Sequence, residues 1–355
     1  MEEIQNWLRL AVKMGASDIF IGVGRRLSFK IDGELNPQSD QKLSPAEVEE
    51  AITTLFEMAN RPMNKFNETG DDDFTVPIRD VARFRVNVYK QRASMAAVVR
   101  VVLFTLPDYE RLAIPNEVMK IAERHNGLVL VTGSTGTGKT TTLACIIDKI
   151  NKTRNCHIIT MEDPIEFLHR DDKGIVSQRE IAADTNSYIT ALRACLRQAP
   201  DIILLGEMRD FETIGTAMTA AETGQLVIST LHTTGAVNTI DRIIDVFPPE
   251  QQQQIRVQLS MVLQTVVTQT LLPNKTGGLV PAFEILHCNS AVRNLIRESK
   301  THQIDNVIQT SSQDGMVSMD GYILRLFKNG DITADVAIYN AVDPEQMMRR
   351  VGVAN

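Results

Sequence analysis

The sequence has no apolar run approaching the length of about 18 residues at which a membrane-spanning helix becomes a candidate, so no direct membrane insertion is expected. Its four cysteines, Cys145, Cys156, Cys195 and Cys288, lie far apart without a C-x-x-C pair. That excludes a disulfide framework or a four-cysteine zinc site and fits reduced thiols in a cytoplasmic protein. There is no excess of basic residues: the net charge is -7, whereas nucleic-acid binders usually carry a basic surface, so nucleic acid is not expected as a partner. The opening MEEIQNWLRLAVKM begins with acids and lacks a cleavage site, which does not match a signal peptide. Tandem repeats and low-complexity segments are also missing.

What is present is an ordinary globular composition, 43% apolar and 23% charged, over 355 residues, a length that suggests two domains. Residues 1–105 read as an α+β unit. Ile4, Trp7, Leu8 and Ala11 share a helix face. Asp18–Val23 and Leu27–Ile31 read as strands, with Asp32-Gly33 as a hairpin signal. Ser44-Pro45-Ala46-Glu47 marks a helix start with Ser44 as N-cap, and that helix should reach Ala59. Val81–Tyr89 and Ala93–Phe104 read as strands, the first alternating Phe84, Val86 and Val88 with Arg83, Arg85 and Asn87.

Residues 106–115, with Pro107 and Pro115, read as a linker. Beyond it, in residues 116–355, short apolar runs alternate with helical segments. Leu128–Thr132, His157–Met161, Asp201–Leu205 and Leu226–Thr230 imply a parallel sheet covered by helices on both faces, an α/β fold. From Pro249 onward the chain reads as helical over Gln251–Leu272, Ala291–Lys300 and Met319–Asn329.

Directly after Leu128–Val131 comes GSTGTGKTTT, residues 133–142, which fits G-x-x-x-x-G-K-[ST]. Glycines let successive backbone N–H groups turn toward one phosphate chain. The expected nucleotide contacts are Gly133, Ser134, Thr135, Gly136, Thr137, Gly138, Lys139, Thr140 and Thr141, with Lys139 on the β and γ oxygens and Thr140 on a magnesium ion. The following helix aims its positive end at the same anion.

In an open parallel sheet, ligands bind beyond the carboxyl ends of the strands. The other three runs also deliver polar residues there: Glu162-Asp163, Gly206-Glu207-Met208-Arg209-Asp210, and Leu231-His232-Thr233-Thr234. Phosphoryl transfer needs a held triphosphate, a metal and an aligned water. Glu207 occupies a Walker B-like position and is read as orienting or deprotonating the water. Glu162 is a second carboxylate, either a magnesium-shell ligand or a partner in activating water. His232 is placed to sense the γ-phosphate. Each has an ordinary explanation by itself, as a cap neighbour, a loop residue or a hydrogen-bonded histidine; the convergence of four strand ends favours the catalytic reading. His157 and His169 are read as structural.

These segments resemble the secretion and pilus ATPase superfamily, and most closely the type IV pilus retraction ATPases (the PilT family). The family's Asp box is similar to TMEDPIEFLH (Thr160–His169), its Walker B box to GEMRD (Gly206–Asp210), and its His box to STLHTTGAVNTIDRIIDVFP (Ser229–Pro248). AVRNLIRE (Ala291–Glu298) resembles a C-terminal helix motif of retraction motors. The resemblance implies a PAS-like N-terminal domain, a RecA-like P-loop ATPase domain, ATP and Mg2+ as cofactors, and a homohexamer. It places the ring in the cytoplasm, peripheral to the inner face of the cell membrane. The implied partners are an inner-membrane pilus platform protein and other pilus ATPases. It also implies nucleotide contacts from Arg85 and Arg100; Arg100 interrupts an otherwise apolar strand, where an unpaired guanidinium would be costly to bury. The alternative for each is a strand-end arginine paired to a local carboxylate. For Arg83, and for the helical pair Arg193 and Arg197, a structural or solvated role is expected.

The chain departs from the family at Phe20, where many retraction ATPases have a histidine, and there it resembles the accessory paralogue (the PilU family). A pilus-assembly or type II secretion ATPase is disfavoured by Ala291–Glu298 and the missing cysteines. The non-enzyme alternative, a regulatory ring subunit, is disfavoured by the complete set Lys139, Thr140, Glu162, Glu207 and His232.

Overall fold

The computed structural model describes residues 2–31, 33–79, 81–102 and 106–352. It divides into two compact units, Met1–Leu106 with Glu166–Leu168, and Pro107–Ile165 with His169–Asn355. The stretch read as a linker is thus split: Leu106 goes with the first unit, and Ile114 is buried in the core of the second.

The first unit is built on a six-stranded sheet in the order β3-β2-β1-β6-β5-β4. The strands are β1 (Asp18–Gly22), β2 (Arg26–Ile31), β3 (Glu34–Lys42), β4 (Asp71–Ile78), β5 (Ala82–Gln91) and β6 (Ser94–Val102), and every pairing is antiparallel. The expected Asp32-Gly33 turn and the end of the Ala93–Phe104 strand fall partly outside the described residues; β2 and β3 pair across that turn, Ile31 opposite Glu34. Helix Pro45–Met58 starts as its sequence dictates: Glu47 N donates to Ser44 Oγ, and Ser44 N donates to a Glu47 carboxylate oxygen at 2.7 Å. On β5, Phe84, Val86 and Val88 are fully buried. Each such side chain contributes about 1.5–3 kcal/mol. Their alternation turns Arg83, Arg85 and Asn87 to the other face.

Two edge strands of this unit escape sequence reading, β3 because it is polar and β4 because its buried Phe74, Val76 and Ile78 follow an acidic start. β3, ELNPQSDQK, has no buried residue, and β4 begins with three aspartates; each carries a proline, Pro37 and Pro77, which edge strands tolerate. The carboxylate of Asp72 is fully buried in β4, bound by Arg61 through two hydrogen bonds of 2.8 and 2.9 Å and by Lys65 at 3.0 Å. Burial pushes its pKa up, but the bonds from Arg61 and Lys65 outweigh it and hold the carboxyl below its ordinary value. Asp72→Asn should therefore lower stability by about 2 kcal/mol, the scale of hydrogen bonds to a charged group. The contribution is present above the unfolded carboxylate value of about 3.9 and is lost as pH falls through the lower folded value. Urea denaturation at neutral pH and in strong acid checks this: the gap between wild type and variant should close in acid.

The second unit holds a seven-stranded sheet in the order β13-β12-β7-β11-β10-β8-β9. Its strands are β7 (Gly127–Thr132), β8 (His157–Glu162), β9 (Ile175–Glu180), β10 (Ile202–Leu205), β11 (Leu226–Leu231), β12 (Leu263–Pro273) and β13 (Leu279–His287). β7, β10 and β11 are buried at every residue. Leu128 and Leu130 enter one apolar core while Val129 and Val131 enter the other, so helices cover both faces. Among the described residues no helix is long and apolar enough to cross a membrane.

Two expectations are corrected here. The sheet is mixed: six strands run parallel, but β13 pairs antiparallel with β12 at the edge. The helical reading of Gln251–Leu272 holds only to Val262, because the helix Pro249–Val262 passes directly into β12. The run LQTVVTQTLL is rich in β-branched residues that suit a strand packed on both sides, but no glycine or proline marks the change. The C-terminal region is therefore a hairpin of two strands followed by helices, including Ser290–Arg297 and Met319–Asn329.

Candidate nucleotide-binding and hydrolysis site

The carboxyl end of β7 leads into the loop 133–138, and helix Lys139–Thr153 follows with Gly138 as its N-cap. Gly138 has φ 83°, a left-handed conformation. Gly133 is fixed by space as well as by φ: a Cβ there would stand 2.3 Å from the Gln269 carbonyl oxygen. Lys139 is buried, and its Nζ donates to the carbonyls of Gly133 at 2.9 Å and Ser134 at 2.8 Å. Thr137 Oγ1 donates to Ser134 O at 2.9 Å. Ser134, Thr135 and Gly136 are exposed, and Thr140 and Thr141 are half-buried. The loop thus presents backbone amides and a lysine beside a helix N-terminus, which is an anion site by construction.

The neighbouring strand ends supply carboxylates. Glu162 ends β8 and is buried; its Oε1 accepts from Thr160 Oγ1 at 2.6 Å and from Gln178 Nε2 at 3.3 Å. Thr160 and Glu162 share a face because side chains repeat every two residues along a strand. Gln178 comes from β9, which sequence reading missed because IVSQRE is short and polar.

Glu207 follows β10 and Gly206, and its side chain is mostly buried. One carboxylate oxygen lies 2.7 Å from Arg209 Nε and 3.4 Å from His232 Nε2. Two hydroxyls of β11 hold these strand ends together: Ser229 Oγ donates to Leu205 O at 3.0 Å, and Thr230 Oγ1 to Gly206 O at 2.5 Å. The fold therefore brings Glu207 and His232 into contact. The hydrogen bond and negative charge of Glu207 push Arg209 upward.

Tyr188 was not legible as a site residue, yet its hydroxyl packs over Gly206, 2.7 Å from where a Cβ would lie. Burial first, then the charges of Glu207, Asp163 and Glu162, push this phenol up, so it keeps its proton. Asp210 serves the chain locally, accepting from Thr213 N and Oγ1 as the cap of helix Phe211–Glu222. His157 bridges Gln198 O and Ser177 Oγ, and burial pushes His169 down to about 4. Arg193 lies 3.5 Å from Glu212 on the surface, and Arg197 is exposed.

Arg85 and Arg100 lie opposite each other in the β5–β6 ladder. Like charges in that register repel. Each has a local acid: Asp18 Oδ1 is 2.9 Å from Arg100 Nε, and Asp73 is 3.9 Å from Arg85. The reading of Arg100 as a guanidinium buried in an apolar strand is corrected, because its side chain is 64% exposed and paired to Asp18. The pairing joins residues 82 apart in sequence and could not be read locally. With Asp18, Asp73, Asn87 and Val98, the two arginines line a cavity of about 310 Å³.

A mostly parallel sheet with a phosphate loop after β7, a histidine after its neighbour β11, and carboxylates after the next two strands, β10 and β8, defines a RecA-like P-loop NTPase. A family model described as "Type II/IV secretion system protein" matches residues 1–277, and the chain belongs to that family. It is 42% identical to the Pseudomonas aeruginosa type IV pilus retraction ATPase PilT over 97% of this chain and 99% of that one. It is 37% identical to the type IV pilus ATPase PilU of the same organism, over 96% of this chain and 88% of the other. Among solved structures, it aligns with the pilus retraction motor PilT with bound ADP at a TM-score of 0.90 and 43% identity, covering 97% and 98% of the two chains. Legionella pneumophila ATPase DotB aligns at 0.81 and 26% identity, covering 95% and 93%.

Proposed function

We propose that this chain is an ATP-hydrolysing motor that powers type IV pilus retraction, acting as a homohexamer in the cytoplasm at the inner face of the membrane. One observation carries the reading: the loop, Glu162 and the Glu207–His232 contact follow adjacent strands of one sheet in a chain that matches 99% of a retraction ATPase. ATP is the substrate. Residues 133–141 hold its phosphates, with Lys139 leaving the loop carbonyls for the β and γ oxygens. Glu207 aligns and deprotonates the attacking water, and His232, in contact with Glu207, registers the γ-phosphate.

Mg2+ fits this donor set. Among the described residues no cluster of three or more acidic, histidine or cysteine side chains could hold a metal. A magnesium ion at a nucleotide takes only one or two protein ligands and fills the rest with phosphate oxygens and water. The Thr140 hydroxyl and the Glu162 carboxylate would hold it, and the ion would neutralise charge on the β and γ oxygens.

Arg85 and Arg100 are assigned to the nucleotide as cationic contacts of the first unit. A solvent-exposed pair such as Arg100–Asp18 contributes only about 0–1 kcal/mol to stability. Arg100→Ala should therefore leave the melting temperature nearly unchanged while lowering ATP turnover at least about tenfold, the scale of one lost charged contact. Steady-state hydrolysis and a thermal melt decide it; unaltered turnover would leave Arg100 as a surface residue only.

Retraction is favoured over assembly by the AVRNLIRE helix, which has a definite structural job. Arg293 Nη1 donates to Ser260 O at 2.6 Å and Met261 O at 2.7 Å, capping the end of helix Pro249–Val262 just before β12. The platform protein and other pilus ATPases are the partners this reading assigns. Mass measurement with Mg-ATP tests the ring: a hexamer is expected, and a monomer at high concentration would contradict it.

A further inference from the structure

Gln269 is a polar side chain in the middle of a buried strand, only 4% exposed. Burying an amide costs about 1–3 kcal/mol unless its groups are bonded. An apolar residue of the same size would fill the space without that cost, so the amide calls for an explanation other than packing.

Its surroundings supply one. β12 runs parallel to β7, the strand that ends in the phosphate loop, and Thr268 is the last β12 residue in register with it, opposite Thr132. Their hydroxyls are 2.9 Å apart. Gln269 comes next and therefore sits beside the loop itself. It meets the loop at both ends. Its backbone carbonyl oxygen stands 2.3 Å from a Cβ built on Gly133, and its side-chain Nε2 3.0 Å from one built on Gly138. Its Oε1 accepts from Thr142 Oγ1 at 2.7 Å, in the first turn of the helix that follows. One residue thus touches the first glycine, the last glycine and the helix that the loop feeds.

The same hairpin continues to another strand end. Thr268 pairs with Glu284 of β13, whose buried carboxylate accepts from Ala236 N at 2.7 Å. Ala236 opens the helix Ala236–Asp245, four residues beyond His232. The path from loop to His232 turn consists of the Thr142–Gln269 hydrogen bond, the Thr268–Glu284 ladder pair, the Ala236–Glu284 hydrogen bond and the short stretches of chain between them.

We propose that Gln269 is a positioning residue for nucleotide: it holds the loop in the curvature that aims its amides at phosphate, and it ties that curvature through the β12–β13 hairpin to the His232 turn. This rests on the reading that the loop holds ATP. Two variants interrupt the bond from opposite sides, Gln269→Leu from the strand and Thr142→Val from the helix. Each should weaken Mg-ADP binding about tenfold, with the KM for ATP rising more than kcat falls. The unliganded melting temperature should fall by only a few degrees, since each variant leaves one buried polar group without its partner. Because both remove one bond, the double variant should be no worse than the weaker single, a non-additivity expected only of coupled residues. Mg-ADP affinity within twofold of wild type in both single variants would overturn the proposal, as would losses that simply multiply in the double. If Gln269→Leu does not fold, Thr142→Val decides alone by the same affinity criterion. A wild-type chain that binds neither Mg-ATP nor Mg-ADP would instead sink the ATP reading, and the proposal with it.

Discussion

Glu207→Gln should lower kcat for ATP hydrolysis by about 10²–10⁴, the range associated with loss of a general base. The amide keeps the shape of the carboxylate but can neither accept the water's proton nor pair as a charge with Arg209. Arg209 is mostly exposed, so losing its partner should change stability by about 1 kcal/mol or less. The KM for ATP should stay within a few-fold, because Glu207 is assigned to water rather than to the nucleotide. Steady-state kinetics with a thermal melt separates these terms. Unaltered kcat would remove Glu207 from the chemistry and leave it as a partner of Arg209 and His232.

Lys139→Met should reduce kcat/KM on the order of a hundredfold or more, as expected when a preorganised donor to developing phosphate charge is removed. Met matches the unbranched apolar stem of lysine up to Cε, so the chain should still fold. What it loses is the ammonium that now bridges the carbonyls of Gly133 and Ser134. The kinetic pattern should differ from that of Glu207→Gln. Lys139 is assigned to the phosphates in both ground and transition states, so ADP affinity should fall along with turnover. Titration with a fluorescent ADP analogue reads this directly, and equal affinity in the two proteins would move Lys139 out of the nucleotide site.

The parts of the site legible in sequence were those whose signal is local. The phosphate loop announces itself by glycine spacing after a buried strand. Glu162, Glu207 and His232 are assigned by the rule that parallel strands deliver their ligands at one end, and the structure sets Glu207 beside His232. The capping box at Ser44 and Glu47 was equally local, and its bonds lie where the residue types placed them. What failed needed distant pairing. β12 reads as a continuation of its helix because only its neighbours β7 and β13 make it a strand. Gln269 meets Thr142 across 127 residues, and Asp18 meets Arg100 across 82, separations over which side-chain type carries no positional information. The edge strands β3 and β9 were missed for a different reason: an edge needs little apolar surface, so the alternation that reveals a strand is weak or absent. β4, by contrast, does alternate Phe74, Val76 and Ile78, but only behind three aspartates and across Pro77.

Burial also changed the meaning of single residues. Arg100 looked like a charge forced into an apolar strand, whereas β6 turns it outward beside Asp18 and opposite Arg85. Tyr188 carried no signal in the sequence, whereas its hydroxyl lies over Gly206 among the carboxylates. In both cases the residue type was plain and only the sheet register or helix packing decided its role.

The central claim, that hydrolysis at this site drives pilus retraction, is tested most directly by imaging labelled pili in cells. A strain lacking the chain would be compared with strains carrying it as wild type or as Glu207→Gln. The deletion should leave pili extended and static, wild type should restore retraction, and Glu207→Gln should not. Missing pili in the deletion, or retraction at wild-type speed with Glu207→Gln, would contradict it.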